Sequence, residues 1–158
     1  MLVRPIRLGG EGRISIGDHV YIGSGSWLQT QQNDENDAIA ISIGSGTSIA
    51  GGVVISAIES VVLERDVLIA RNVYISDHMH KYTETALPVM NQGLDRIRPV
   101  LVKCGAWLCQ NVVICPGVTI GEGSVVGANS VVTESIPNFC VAAGAPARVV
   151  RRTESLTQ

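Results

Sequence analysis

The stretch that decides the fold runs from residue 102 to residue 132 and reads VKCGAWLCQNVVICPGVTIGEGSVVGANSVV. An aliphatic residue occupies every sixth position, from Val102 to Val132, and Gly, Asn and Ser are frequent in between. Neither a helical period nor an unbroken two-residue alternation fits this spacing. Six residues suit a strand of about three or four residues followed by a turn of about two. The stretch therefore predicts short strands joined by tight corners.

The same spacing extends over most of the chain. Three such units would complete one triangular coil, with the aliphatic side chains pointing inward and stacked on those of the next coil about 4.8 Å away. The sequence therefore predicts a parallel β-helix of five triangular coils, about 24 Å tall. The fifteen repeat positions, in five groups of three, are Ile16, Ile22 and Leu28; Ile43, Ile49 and Ile55; Leu63, Ile69 and Ile75; Val102, Leu108 and Ile114; Ile120, Val126 and Val132.

The composition favours one all-β domain. Val and Ile account for 37 of the 158 residues and Gly for 17, whereas Phe, Tyr and Trp together number six. A core rich in β-branched residues suits short strands rather than a helical bundle. We expect a single domain over residues 1–158, with loop insertions at about 29–39 and 76–99 and a C-terminal cap and tail at 134–158. Long excursions from a regular solenoid are usually functional or disordered.

Charge, hydropathy and cysteine spacing exclude several classes of function. Charged residues make up 16% of the chain and the net charge is −2, so nucleic-acid binding through bulk positive charge is not expected. No apolar run reaches the roughly 20 residues that span a bilayer, and no signal peptide is evident, so we expect a cytoplasmic protein without membrane insertion. No Cys-x-x-Cys spacing indicates a zinc site or a redox pair. The four cysteines, expected to be reduced, are Cys104, Cys109, Cys115 and Cys140.

Three stretches carry a resemblance to a known family: Pro116–Gly121 with Val126–Thr133, Ile136–Val150, and Ser76-Asp77-His78-Met79-His80-Lys81-Tyr82. They resemble the hexapeptide-repeat acyltransferases, most closely the maltose/galactoside and surface-polysaccharide O-acetyltransferase branch. The resemblance covers residues 10–152 and implies a left-handed parallel β-helix with one long protruding loop and a short C-terminal cap. It also implies a homotrimer with active sites between subunits, acetyl-CoA as the acyl donor, a saccharide acceptor and no metal.

His78 is the predicted catalytic residue. It lies where the long insertion leaves the repeat, which matches the position of the catalytic histidine in the resembling family. A sugar hydroxyl is a poor nucleophile at neutral pH, and an imidazole can accept its proton as the hydroxyl attacks the thioester. Because a thioester is already activated, no covalent enzyme intermediate is needed. A loop histidine with a structural hydrogen bond is the other interpretation.

Two neighbours of His78 in the motif are assigned to the acceptor. Asp77 is expected either to bind acceptor hydroxyls or to orient an imidazole. Adjacent side chains rarely reach one another's rings, so a salt bridge or a turn cap fits Asp77 better. His80, two residues after His78, is expected to point elsewhere and to contact the acceptor or serve the loop structure.

Two aromatic residues complete the predicted acceptor site. Tyr82 opens the segment to Arg98 that, with residues 30–37, is expected to build the acceptor pocket. Trp107 matches a family tryptophan near the active-site cleft, where it would wall the pocket. Packing between subunits is the alternative for Trp107.

Five residues match family positions that contact the donor: Gln110, Ala128, Thr133, Arg148 and Arg151. Ala128 and Thr133 would act through small size and backbone groups, and Gln110 would lie near the thiol end of the donor, although it is bulkier than the usual residue. Arg148 and Arg151 would meet the nucleotide phosphates. Glu134 departs from the family, where a lysine is common. Its carboxylate would repel phosphate unless the arginines compensate or the donor binds differently.

Three alternatives remain open from the sequence. The acceptor could be a nucleotide-linked amino sugar, which would make the product an amide. A zinc hydratase resembling the gamma carbonic anhydrases needs three converging histidines, and the chain has only His19, His78 and His80, without that family's wider spacing. The repeat could also serve a structural trimer without catalysis.

Overall fold

Short strands make up nearly all of the regular structure. A computed structural model describes residues 1–30 and 38–153, and no strand in these ranges exceeds six residues. Two single-turn 3-10 helices, Glu11–Arg13 and Val89–Asn91, also lie in these ranges, and neither is long and apolar enough to cross a membrane. In chain order the strands are β1 (Arg7–Gly9), β2 (Ile14–Ile16), β3 (Tyr21–Ile22), β4 (Trp27–Thr30), β5 (Ile41–Ile43), β6 (Ser48–Ile49), β7 (Val54–Ala57), β8 (Val61–Leu63), β9 (Leu68–Ile69), β10 (Tyr74–Ser76), β11 (Met79–His80), β12 (Leu94–Asp95), β13 (Val100–Val102), β14 (Trp107–Leu108), β15 (Val113–Ile114), β16 (Thr119–Ile120), β17 (Val125–Val126), β18 (Val131–Val132), β19 (Cys140–Gly144) and β20 (Ala147–Arg152).

The chain visits three parallel sheets in rotation. Sheet I contains β2, β5, β8, β13 and β16; sheet II contains β3, β6, β9, β14, β17 and β19; sheet III contains β1, β4, β7, β10, β15 and β18. The register pairs the repeat positions with one another, and in sheet III the successive partners are Leu28, Ile55, Ile75, Ile114 and Val132. The predicted all-β fold, with parallel strands stacked as in a β-helix, is confirmed.

The core is the column of repeat side chains inside this three-sided prism. Fourteen of the fifteen predicted positions are at most 2% exposed. Residues two places earlier, such as Val53 and Ala106, are buried too, because alternate residues of a strand face the same side. Ile16 is in register with Ile43 as predicted, but it is 36% exposed. It lies on β2, which is an edge strand of sheet I among the described residues, so its outer side has no neighbouring strand.

The stack of strands continues beyond the predicted units at both ends. Before the first unit, β1 pairs in parallel with β4. At the other end, the segment predicted as a cap and tail at 134–158 extends sheet II, because β19 pairs in parallel with β17. β20 then folds back and pairs antiparallel with β19. Residues 154–158 lie outside the described residues.

The two predicted insertions begin slightly later than expected. In the first, β4 continues to Thr30, and residues 31–37, part of the predicted acceptor pocket, lie outside the described residues. In the second, Ser76 still belongs to β10, so we define the excursion loop as residues 77–99. The two ends of this loop are joined, because the backbone N–H of Arg98 donates to the carbonyl of Asp77 at 2.8 Å, and we call this junction the neck of the loop. Within the loop, β11 and β12 pair antiparallel.

Candidate active site

His78 lies at the corner where the chain passes from sheet III to sheet I, here called the III–I corner. β10 ends at Ser76, and Asp77 and His78 open the excursion loop. The Asp77 side chain is fully buried and the His78 side chain is 12% exposed. Nδ1 of His78 lies 2.8 Å from Oδ1 of Asp77. A carboxylate–imidazole pair therefore sits at the neck of the loop.

The Asp77 carboxylate is anchored to the same corner one coil earlier. The backbone N–H groups of Ile58, Glu59 and Ser60 donate to its oxygens at 2.7–3.0 Å. These bonds confirm the predicted turn cap. The expectation that Asp77 would not reach the neighbouring ring is wrong, because the chain bends at this corner and the two side chains do not diverge as they would along a strand.

The Asp77 carboxylate is buried as well as anchored. It has no exposed surface, and its oxygens are engaged by three amides and a ring nitrogen. The predicted contact between Asp77 and acceptor hydroxyls stays a prediction, and the contact that this chain shows is the one with the His78 ring.

The contacts of the His78 ring define which nitrogen can accept a proton. The carboxylate of Asp77 is an acceptor, so Nδ1 of His78 donates to it and the neutral ring carries its lone pair on Nε2. Ser76 holds the backbone of the same residue: its Oγ accepts from the His78 N–H at 3.2 Å and donates to the His78 carbonyl at 2.9 Å. The side chain and the backbone of His78 are thus both held by neighbouring groups, and these contacts leave Nε2 unengaged.

The His78 ring lines a groove of about 300 Å³ on the prism surface. Met79 and His80 from the loop and Cys115 and Pro116 from the same corner one coil later line it with His78. His80 lines the same groove as His78, contrary to the expectation that it would point elsewhere. Tyr82, which is 57% exposed, lies further along the loop and does not line this groove.

A second groove, of about 240 Å³, adjoins the first and shares Met79, Cys115 and Pro116 with it. Thr133, a predicted donor-binding residue, lines the second groove, which brings it close to the reaction centre. Arg96 and Arg98 line it as well. Both arginines lie in the segment from Tyr82 to Arg98 that was expected to build the acceptor pocket, but the sequence did not single them out, because an irregular loop has no repeat positions.

Cys115 is the thiol that lines both grooves. Burial raises the pKa of this thiol. The protonated form therefore dominates at neutral pH, and the group is a weak nucleophile. Cys115 is therefore a poor candidate for an acyl-cysteine intermediate.

Three other predicted residues lie away from these grooves. Gln110 and Ala128 are neighbours at the corner between sheets II and III, where the N–H of Asn129 donates to the carbonyl of Gln110 at 2.9 Å. Trp107 is 43% exposed on sheet II, between Leu68 and Val125 of the adjacent strands. A single chain therefore does not bring these three residues to His78.

The two predicted phosphate-binding arginines lie on β20. Nη2 of Arg148 lies 3.2 Å from Oε1 of Glu134, the residue next to Thr133. This ion pair offsets the charge of the unexpected carboxylate. Arg151 pairs in register with Val141 across β19 and β20 and is exposed.

Within one chain, the three histidines do not come together in a group. His19 lies in the turn between sheets I and II, and Nδ1 of His78 is engaged by Asp77. In the part of the chain that the structure describes, no group of three or more His, Cys, Asp or Glu side chains could hold a metal ion.

Comparisons with known proteins agree with the fold. The family model described as "Bacterial transferase hexapeptide (six repeats)" matches residues 99–134, and the model described as "Hexapeptide repeat of succinyl-transferase" matches residues 13–57. A relative, the putative lipopolysaccharide biosynthesis O-acetyl transferase WbbJ of Escherichia coli, is 34% identical over 154 residues, which is 94% of this chain and 76% of the relative.

Two solved structures illustrate the likeness. A galactoside acetyltransferase in complex with coenzyme A is 31% identical with a TM-score of 0.76, and the match covers 89% of this chain and 65% of that one. A mutant of AntD, an N-acyltransferase from Bacillus cereus, in complex with dTDP-4-amino-4,6-dideoxyglucose and coenzyme A, has a TM-score of 0.82. Its identity is 22%, over 97% of this chain and 80% of AntD, so it shows the fold alone. By its match to the Escherichia coli relative, the chain belongs to the hexapeptide-repeat transferase family and is an acetyltransferase.

Proposed function

We propose that the chain transfers an acetyl group from acetyl-CoA to a hydroxyl of a saccharide, as a step in surface-polysaccharide assembly, with His78 as the general base. The observation that carries the proposal is the 2.8 Å contact between Asp77 Oδ1 and His78 Nδ1, which leaves Nε2 as the basic nitrogen beside an open groove. The Escherichia coli relative, named as an O-acetyl transferase of lipopolysaccharide biosynthesis, and the galactoside acetyltransferase support acetyl transfer to sugars.

The residues divide the reaction between them. Nε2 of His78 takes the proton of the acceptor hydroxyl as its oxygen attacks the thioester carbonyl, and the carbon–sulfur bond then breaks. The leaving thiolate recovers that proton from the imidazolium. Asp77 keeps the ring in the productive tautomer and stabilises the imidazolium as it forms. Cys115 stays a neutral wall of the groove.

The proposed assembly is a homotrimer of left-handed prisms. Trp107, Gln110 and Ala128 lie on a different part of the prism surface from His78. A neighbouring copy can bring such a surface opposite the His78 groove, so that acetyl-CoA lies in the cleft between two subunits. Thr133, Arg148 and Arg151 complete the donor site in this arrangement, and His80, Tyr82 and Trp107 contact the acceptor. Sedimentation equilibrium tests the assembly, and a monomer with full activity would contradict it.

N-acetyl transfer to a nucleotide-linked amino sugar is the alternative. The likeness to AntD is one of fold, whereas the relative with higher identity is named an O-acetyl transferase. The test is thiol release from acetyl-CoA with a panel of saccharides and nucleotide-linked amino sugars, followed by mass spectrometry of the product. We expect an ester that mild alkali removes. An alkali-stable amide formed only on amino sugars would favour the alternative, and no thiol release with any of them would refute the proposal.

A further inference from the structure

Two arginines of the excursion loop face the reaction centre without a salt-bridge partner. Arg96 and Arg98 line the groove that adjoins the His78 groove. Both are exposed, and among the described residues neither forms an ion pair. The nearest acidic side chain in the chain, Asp95, accepts the backbone N–H of Arg96 at 2.7 Å. The guanidinium groups are therefore available to a ligand.

The backbone ties both arginines closely to His78. The N–H of Arg98 donates to the carbonyl of Asp77, the residue before His78, at 2.8 Å. Asp95, the residue before Arg96, pairs in register with Met79, the residue after His78. A group held by these arginines is thus a near neighbour of the atom that His78 deprotonates.

The backbone conformation of Arg96 points to a role for its side chain. Its φ is 51°, in the left-handed region where Gly and Asn are favoured. A strained residue beside an active site is a reason to look for function there. The side chain of Arg98 is held by packing instead, since it lies over Gly117. A Cβ atom at position 117 would come within 3.1 Å of the Arg98 Cδ, and the φ of Gly117 is 81°.

The donor's phosphates do not suit this position. They are separated from the thioester by the pantetheine arm, whose extended length matches about four residues of chain, or roughly 14 Å. Arg98 is bonded through its backbone to Asp77 and both arginines line the groove beside the His78 groove. Arg148 and Arg151, to which we assign the phosphates, lie instead on β20. The acceptor, whose hydroxyl must lie at His78, is the ligand that reaches them.

We infer that the acceptor saccharide carries a carboxylate or phosphate close to the acetylated hydroxyl, and that Arg96 and Arg98 bind this anion. The inference rests on the proposed function for the identity of the reaction. Guanidinium groups hold either anion through paired, charge-assisted hydrogen bonds. Such a subsite would make the enzyme select acidic saccharides over neutral ones.

The test uses matched saccharides in the gluco and galacto configurations: methyl glycosides, methyl uronides and sugar 1-phosphates. Binding by calorimetry and thiol release from acetyl-CoA are both measured. We expect wild type to favour an anionic saccharide by about 10- to 100-fold over its neutral counterpart. The uronides and 1-phosphates distinguish the two anions. Equal binding of charged and neutral saccharides would overturn the inference and leave the proposed function intact.

Variants assign the preference to the arginines. Arg96→Gln and the double variant Arg96→Gln/Arg98→Gln should lose most of it, while Arg98→Lys should keep part because it retains the charge. Arg65→Gln is the control, since Arg65 pairs with exposed Asp66 in a turn between sheets I and II. Arg96→Gln leaves the packing of Arg98 over Gly117 untouched. A loss of saccharide preference in this variant therefore reports binding rather than folding.

Donor kinetics separate the remaining outcomes. The KM for acetyl-CoA should stay within about twofold in the arginine variants. A higher donor KM with unchanged saccharide preference would overturn the inference and assign the arginines to the donor. Arginine-dependent binding of an anionic saccharide without any acetyl transfer would support the anion subsite and refute the proposed function.

Discussion

Oδ1 of Asp77 lies 2.8 Å from Nδ1 of His78, although the two residues are adjacent in the chain. The contact is possible because the backbone turns at the III–I corner, and it is rigid because three amides from the previous coil hold the carboxylate. One buried side chain therefore does two things: it locks the neck of the excursion loop to the prism and it sets the tautomer of the ring. The predictions below separate these effects from each other and from the roles of the surrounding residues.

Asp77→Asn should lower kcat by about 10- to 1000-fold, because the amide no longer ensures that Nδ1 is the protonated nitrogen. The KM for each substrate should change less than kcat, since Asp77 is buried. The melting temperature should fall as well, because three amides lose a charged acceptor. Steady-state kinetics over a range of pH and thermal melts check both effects. Asp66→Asn is the matched control, an exposed carboxylate at a φ of 59° that Asn tolerates. Wild-type kcat in Asp77→Asn would show that the pair is structural only.

Glu134→Lys should lower the KM for acetyl-CoA by about two- to fivefold, because it removes a carboxylate and frees Arg148 for the donor's phosphates. Both side chains of this ion pair are more than half exposed, so little change in stability is expected. Donor-saturation kinetics measure the effect, with Glu122→Gln as the control for loss of an exposed carboxylate. A KM that does not move would remove the β20 arginines from the donor site.

Cys115→Ala should retain acetyl transfer within about threefold of wild type, because burial raises the pKa of the Cys115 thiol and keeps it protonated at neutral pH. For the same reason, alkylation of Cys115 in the wild-type protein should be slow at neutral pH and accelerate only as pH rises above the usual thiol range. Mass spectrometry after rapid quenching should find no acetylated enzyme. An acetyl-cysteine at residue 115, together with an inactive Ala variant, would contradict direct attack.

Ile49→Ala should lower the free energy of unfolding by about 2–5 kcal/mol, because Ile49 is fully buried between neighbouring coils. Ile16→Ala is the paired measurement. It occupies the equivalent repeat position on an edge strand, is 36% exposed, and should cost less than about 1 kcal/mol. Denaturant titration of both variants measures the difference. Equal costs would mean that the exposed edge of sheet I is covered in solution.

The fold was predictable because its signal is local and repeated. Each six-residue unit carries its own inward aliphatic residue, so the register of Leu28, Ile55 and Ile75 follows from spacing alone. Edge effects were not predictable in the same way: Ile16 satisfies the repeat, yet its exposure depends on which strand lies outermost. The added strands β1 and β19 were missed because their segments are out of phase with the main repeat: Leu8 lies eight residues before Ile16, and Ile136 lies four residues after Val132.

The site was predictable in part. The place of His78 at the start of the long insertion is visible in the sequence, because the six-residue repeat stops there. The partnership with Asp77 was not, because it depends on a bend in the backbone and on amides some twenty residues earlier in the chain, at Ile58 to Ser60. Arg96 and Arg98 join the site only because the loop returns to its own starting point, which no local pattern reveals.

The most direct measurement of the central claim is kcat for acetyl transfer in His78→Ala, with His19→Asn as the control histidine in a turn that tolerates Asn. The ring of His78 lies on the loop neck outside the core, so the variant should remain folded, as circular dichroism and thermal melts would verify. If Nε2 of His78 removes the hydroxyl proton, kcat falls by about 10²- to 10⁴-fold while His19→Asn keeps wild-type turnover. Near-normal turnover by folded His78→Ala would contradict the account, because the base would then be another group.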